Sequence, residues 1–198
     1  MAAAFEDYLK AHTGIDDDSI EKIISFAKPK LLRRNEYLFR AGEICQHKVF
    51  INSGLLRTFN ITADGNEHIV QFSPENNWTV DAESYDRQTP SLVNISAIEN
   101  SELLLWRKAD FVELINAMPE LKQLSEQIIS KNMHFSRRRM LSALGSTPEE
   151  KYKDFIDNSP ELLSRLPLRM VASYLGISLK TLNRVRNSIL YQSENSVK

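Results

Sequence analysis

Hydrophobic positions along the chain change period twice. Over residues 5–27, Phe5, Leu9, Ile20, Ile23, Ile24 and Ala27 recur at helical spacing, and Pro29 is expected to end that stretch. From about Leu31 to Trp106 the pattern becomes short strands with turn punctuation at Ala41-Gly42-Glu43, Asn52-Ser53-Gly54 and Asp64-Gly65-Asn66. LLRTFNI and HIVQF, rich in β-branched and aromatic side chains, flank the Asp-Gly pair, which is a hairpin signal. Strands about ten residues apart predict an antiparallel sandwich or barrel rather than βαβ units, with SLVNISAI and SELLLWR as its last two strands. After Lys108 the period is helical again. ADFVELINAM reads as one short helix, and Pro119 opens a long one, PELKQLSEQIISKNMHFSRRRMLSAL, ending near Gly145. At 1.5 Å per residue it is about 39 Å long. Such a helix has to bury its apolar stripe, either on its own sheet or on a parallel partner helix. The partner is the favoured expectation, with Leu121, Leu124, Ile128 and Phe135 at the dimer seam.

The last quarter is a series of helix starts. Thr147-Pro148-Glu149-Glu150 has the pattern of a capping box with proline in the first turn, and Asn158-Ser159-Pro160-Glu161 is a second start. Pro167 then introduces LRMVASYLGISLKTLNRVRNSIL. Val171, Ala172 and Leu175 make an inward face on a short helix, with Ala172 small enough for a close crossing. Gly176 can take the left-handed conformation that ends the helix. Ile177 fills the angle, Ser178 caps a second helix, and Leu182, Val185 and Ile189 form its inward face. This is the pattern of a helix-turn-helix. Lys180, Asn183, Arg184 and Asn187 fall on the outward face of the second helix at i, i+3, i+4, i+7. These are long donors of the kind that reach base edges and phosphates in a major groove. Thr181, beside the cap, and the first amides of that helix suit a phosphate.

Charge sharpens this picture. The 198 residues carry a formal net charge of −1, with 42% hydrophobic and 26% charged residues, enough to form a core. Residues 1–130 hold 13 Lys/Arg against 20 Asp/Glu, whereas residues 131–198 hold 12 against 6. From Leu162 to Ser193 there is no acid, while Arg165, Arg169, Lys180, Arg184 and Arg186 are present. Such a half favours polyanions, and double-stranded DNA is the partner that fits. The single cysteine, Cys45, excludes an internal disulfide, a cysteine-ligated zinc finger and an iron–sulfur cluster. No apolar run is long enough to span a membrane, and the acidic start MAAAFEDYLKAHTG does not read as a signal peptide, so a cytoplasmic setting is expected.

Two other functions compete with DNA binding. A cupin-like metalloenzyme needs several His and Glu ligands converging on one metal, but the chain has four histidines, His12, His47, His68 and His134, and no His-x-His pair, so no metal site and no catalytic residue is assigned. A small-molecule-binding module without specific DNA readout is the nearer alternative, and the acid-free stretch argues against it. Cys45 stands beside His47 and Lys48, neighbours able to lower a thiol pKa, but a structural position is the favoured expectation.

Taken together, the Arg40-Ala41-Gly42-Glu43 turn, the DGNEHIVQF hairpin, PELKQL and ASYLGIS resemble the Crp/Fnr family of transcription regulators, in the variety common in Bacteroidetes, over about residues 20–190. The resemblance implies an α+β chain with three parts. An N-terminal double-stranded, jelly-roll-like β-roll sensor would occupy residues 1–118, a long dimerisation helix and hinge 119–145, and an all-α helix-turn-helix domain 146–198. It also implies a homodimer on a palindromic operator and adds RNA polymerase as a candidate partner. By resemblance Ser178, Thr181 and Arg184 fall on DNA-contact positions, and Arg169 joins them as a further cation of the module. Lys180 stands where many members carry Glu. The stretch before the helix-turn-helix lacks the strand pattern of the family's wing. Family members that bind cyclic nucleotides hold the phosphate with an Arg-Ser/Thr pair and the ribose with Gly-Glu. Here those positions read Ser91-Leu92 and Val80-Asp81, with Arg87 out of register, so cyclic AMP is not expected and no cofactor is identified. Trp78, Asp81, Glu83, Tyr85 and Ser91 lie where the family's pocket would be and are the candidate lining for an unknown small effector.

Overall fold

The computed structural model describes residues 2–195, and the side chains of residues 2–189. The first helical stretch is two helices, α1 (Ala3–His12) and α2 (Asp17–Ser25), rather than one. Thr13 is extended and its hydroxyl donates to the Leu9 carbonyl, while Asp16 caps α2 by accepting from the Ser19 N–H at 2.9 Å. Three consecutive aspartates at that end complement the helix dipole, so a new start outweighs continuation. Pro29 does not terminate a helix. It sits inside strand β1 (Lys28–Leu32), an edge strand, where a missing N–H is tolerated.

Seven further strands follow: β2 (Tyr37–Phe39), β3 (His47–Ser53), β4 (Leu55–Ile61), β5 (Glu67–Pro74), β6 (Asn77–Thr79), β7 (Asn94–Ala97) and β8 (Ser101–Arg107). They form two four-stranded sheets, in the orders β1-β8-β3-β6 and β2-β7-β4-β5. Strand spacing predicts an antiparallel sandwich or barrel, and the two sheets form the double-stranded roll that the resemblance implies. Between β6 and β7 lies the short helix α3 (Ala82–Arg87).

Strand alternation assigns the two faces of the first sheet. Val49, Ile51, Leu103 and Leu105 point into the roll with Leu32, against Leu56, Ile95 and Ala97 of the second sheet. Phe50, Trp78, Leu104 and Trp106 point outward. They are covered by α1, α2, α4 (Lys108–Ala117) and the start of α5 (Pro119–Gly145). The outward cluster is aromatic, with ring centroids 4.9 Å apart for Phe5–Phe50 and 5.3 Å for Trp78–Trp106. Trp106 is fully buried, and its indole N–H donates to the Ile23 carbonyl at 2.8 Å.

Backbone contacts divide the chain into two compact units, Met1–Asn66 with Val70–Ser130, and Glu67–Ile69 with Lys131–Lys198. The division falls inside α5, so that helix is shared by the two units, with only its first turns in the roll's core. The helical unit holds the rest of α5, then α6 (Pro148–Asn158), a 3₁₀ turn (Pro160–Leu162), α7 (Leu168–Leu175) and α8 (Leu179–Asn195). The capping box at Thr147 and Glu150 is formed as the sequence predicts. The second start, at Pro160, yields only the 3₁₀ turn. No strand occurs between α5 and α8, as the missing wing pattern suggested. Among the described residues no helix is long and apolar enough to cross a membrane.

Candidate nucleic-acid interface and roll cavity

The turn between α7 and α8 follows from its residues. Gly176 adopts φ 67°, ψ 34°, its N–H reaches the Ala172 and Ser173 carbonyls, and the Ile177 N–H closes back onto the Ala172 carbonyl at 3.1 Å. A left-handed residue is needed here, and glycine takes it without cost. The Ser178 hydroxyl then accepts from the Thr181 N–H at 3.0 Å and lies 2.9 Å from the Thr181 hydroxyl, which starts α8. Val171, Leu182 and Val185 are fully buried, and Ala172 and Leu175 nearly so. That inward face leaves Lys180, Asn183, Arg184 and Asn187 exposed together on α8, with Arg169 and Ser178 exposed and Thr181 half-buried.

One contact on this face was not anticipated from the sequence. Arg184 Nη2 lies 3.2 Å from Glu149 Oε1, at the first turn of α6, with both side chains partly exposed. The capping motif drew attention to Glu150 as the box residue; its neighbour Glu149 turns instead towards α8. An exposed pair of this kind contributes about 0–1 kcal/mol, but it competes directly with a phosphate or a base edge for the same guanidinium. Replacing Glu149 by Gln is expected to raise affinity for DNA about two- to fivefold at low salt, read by fluorescence anisotropy. A fall in affinity would show that the acid aims the arginine rather than detaining it.

The expected effector residues do not come together. Register pairs Trp78 with Phe50, which puts the indole on the outward face among the helices, not in the roll. Asp81 caps α3, accepting from the Ser84 N–H at 3.5 Å, and exposed Glu83 pairs with Arg87 at 3.0 Å. Ser91 is buried but spent on its own loop, its hydroxyl donating to the Val93 carbonyl and accepting from the Val93 N–H. Tyr85 is buried with no hydrogen-bond partner for its hydroxyl among the described residues, and burial, then Cys45 and Asp86, push the phenol up to about 12.

A cavity in the roll, about 210 Å³, is lined instead by residues including Lys30, Phe39, Glu43, Cys45, His47 and Thr79. The signal for them was strand parity. His47 shares a face with Val49 and Ile51, and Thr79 pairs with Val49, so both look inward. Cys45 is buried, and that burial raises its thiol pKa in spite of Lys48, the opposite of what its sequence neighbours suggest. Among the described residues no three His, Cys, Asp or Glu side chains converge as a metal site would require.

Burial, and then the nearby Arg107, Lys30 and Lys28, hold the His47 imidazole below its ordinary pKa, with Asp110 opposing. Above about pH 6.5 folded and unfolded chains both carry it neutral. Below that the unfolded chain takes up a proton that the folded one resists, so stability falls as pH drops towards the folded value. His47→Gln is therefore expected to flatten the loss of stability between pH 7 and pH 5, measured as urea midpoints. Parallel slopes for the two proteins would refute it.

Comparison with known proteins agrees with this geometry. Residues 29–118 match the family model described as the cyclic nucleotide-binding domain. The transcriptional activator protein FnrA of Stutzerimonas stutzeri is 27% identical over 185 residues, covering 86% of this chain and 72% of that protein. The fumarate and nitrate reduction regulatory protein of Vibrio cholerae is 26% identical over 180 residues, covering 85% and 70%. Among solved structures, FixK2 from Bradyrhizobium japonicum superposes with a TM-score of 0.74 at 16% identity, covering 84% of this chain and 86% of that one. With roll, long helix and helix-turn-helix in the same order, the chain is similar to these transcription regulators, and residues 29–118 match the cyclic nucleotide-binding domain.

Proposed function

We propose that the protein is a sequence-specific DNA-binding transcription regulator that acts in the cytoplasm as a homodimer on a palindromic operator. The observation that carries this is α8, where Lys180, Asn183, Arg184 and Asn187 are exposed on one side while Leu182 and Val185 are fully buried on the other. Two such helices would enter successive major grooves about 34 Å apart. RNA polymerase is a candidate partner, and no catalytic step is assigned.

The dimer face follows from the position of each α5 side chain around the helix. At about 100° per residue, Leu121, Leu124, Ile128 and Phe135 share one face. Leu121 and Leu124 are buried in the roll's own core and Ile128 packs on it, which favours a seam on another face of the helix. About 100° further round, Ile129, Met133 and Met140 are 61%, 56% and 57% exposed. With Ser136 and Ala143 they alternate at steps of four and three, the spacing of a coiled-coil seam. This second stripe is the surface offered to the partner.

An effector other than cyclic AMP would act from the roll. The Ser91 hydroxyl is engaged within its own loop and Leu92 is 80% exposed, so neither is placed to grip a phosphate. The test is operator selection from genomic DNA followed by anisotropy titration. Arg184→Ala should weaken the selected site about 5- to 150-fold, equivalent to about 1–3 kcal/mol for one base contact, and relax discrimination at one base pair per half-site. Affinity should fall steeply with salt, and added cyclic AMP should leave it unchanged. Binding that ignores DNA sequence, or is untouched by Arg184→Ala, would overturn the reading.

A further inference from the structure

The helical unit contains a cavity of about 160 Å³ between the second half of α5, α6 and α7, distinct from both the exposed face of α8 and the roll. Its α5 wall is Phe135, Arg138, Arg139 and Ser142, spaced i, i+3, i+4, i+7 and therefore on one face of the helix. Phe155 and Asn158 of α6 and Tyr174 of α7 stand among the facing residues.

The lining charges are not balanced. Arg139 is committed, its guanidinium 3.6 Å from the Tyr174 ring centroid and its Nη2 donating to the Tyr174 carbonyl at 2.8 Å. Lys151 donates to the Ala143 carbonyl at 3.3 Å. Asp154, the one acid of the lining, accepts from the Asn158 side chain at 2.9 Å. Arg138 is exposed at the rim and has no ion-pair or hydrogen-bond partner among the described residues. The cavity thus offers three cations to one engaged acid, and one of the cations is free.

We infer that this cavity binds a small aromatic carboxylate, with its ring against Phe135, Phe155 and Tyr174 and its carboxylate on Arg138. Size, wall chemistry and charge each narrow the class. A cavity of about 150 Å³ accepts a benzene ring, so 160 Å³ admits one ring and excludes a nucleotide. Three aromatic side chains provide edges and faces for a ring, which a hydrated inorganic anion does not use. The free guanidinium is a fork for a carboxylate and repels a cationic ligand. The occupant also completes the surroundings of Phe135, which is 37% exposed and lies on the face of α5 away from the seam stripe.

The test uses the full chain without DNA, so that its failure is separate from failure of the regulator reading. Sodium benzoate is the probe, with benzyl alcohol as the neutral counterpart and inorganic phosphate as the ringless anion. Benzoate is expected to bind with a Kd of about 1 mM, a reasonable affinity for a ligand of this size. Amide shifts should be confined to residues 135–142, 151–159 and 174–175. Arg138→Gln, a surface change that leaves the fold intact, should weaken benzoate about tenfold and leave benzyl alcohol unchanged. Phosphate binding as tightly as benzoate, equal binding of the neutral alcohol, unchanged affinity in Arg138→Gln, or no shifts up to 20-fold above the expected Kd would each overturn the inference.

Discussion

Gly54→Ala is expected to lower the unfolding temperature of the roll by about 10 °C, the largest loss from a Cβ added at any of the six glycines. Two separate costs combine. Gly54 sits at φ +97°, between the end of β3 and the start of β4, where an L side chain is strained. In addition a Cβ there would meet the Ser101 hydroxyl, and would stand 2.7 Å from both the Asn100 carbonyl oxygen and the Ser101 Cα. Backbone atoms at that distance cannot rotate away, so the sheet must shift. Strain of about 1–2 kcal/mol and overpacking of about 1–3 kcal/mol sum to about 2–5 kcal/mol. For a chain of this size each kcal/mol lowers the midpoint by about 2–4 °C. Gly42→Ala is the control. It has φ +91° but open space around its Cβ, so it should lose only the strain, about 1–2 kcal/mol. Equal losses for the two variants, by calorimetry, would show that the close approach to Asn100 and Ser101 contributes nothing.

Gly54 also shows where reading the sequence stops. Asn52-Ser53-Gly54 marks a turn by composition, but its approach to residues 100 and 101 joins positions nearly fifty apart and has no local signature. The same division runs through the rest of the chain. Period and punctuation located the strands, the long helix from Pro119, and the Thr147 capping box, because each depends on neighbours within a few residues. The helix-turn-helix was legible for the same reason, since Gly176, Ser178 and the Leu182–Val185 face act within one supersecondary unit. Decisions that depend on which of two apolar faces meets which surface were not legible. The resemblance places Trp78 at a pocket, whereas its register with Phe50 turns it outward. The length of α5 points Leu121, Leu124 and Ile128 to a partner helix, whereas they pack in the roll's aromatic cluster.

The correction to α5 carries the second large effect. Met133 and Met140 lie on the exposed stripe, and converting both to Glu would place two carboxylates per chain in the proposed seam, opposite their symmetry mates. Burying such charges without partners costs several kcal/mol each, more than a seam of a few turns can offset. The wild-type chain is expected to travel at twice the mass of one chain in light scattering, and Met133→Glu/Met140→Glu at the mass of one. A monomer presents a single α8 to a two-part operator. Losing half of the contacts should weaken specific binding on the order of a thousandfold, towards the non-specific level. Val112→Glu, also at an exposed apolar position but on α4, should change neither mass nor operator affinity. The prediction separates cleanly from the one it replaces. Leu121→Glu and Leu124→Glu would damage the roll's core and be seen first as loss of folding, whereas the Met133/Met140 pair should leave the unfolding temperature of the roll nearly unchanged while abolishing the dimer. If the double variant stays dimeric and folded, the seam lies elsewhere, and the spacing of Ile129, Met133, Ser136, Met140 and Ala143 is a solvated stripe without a partner.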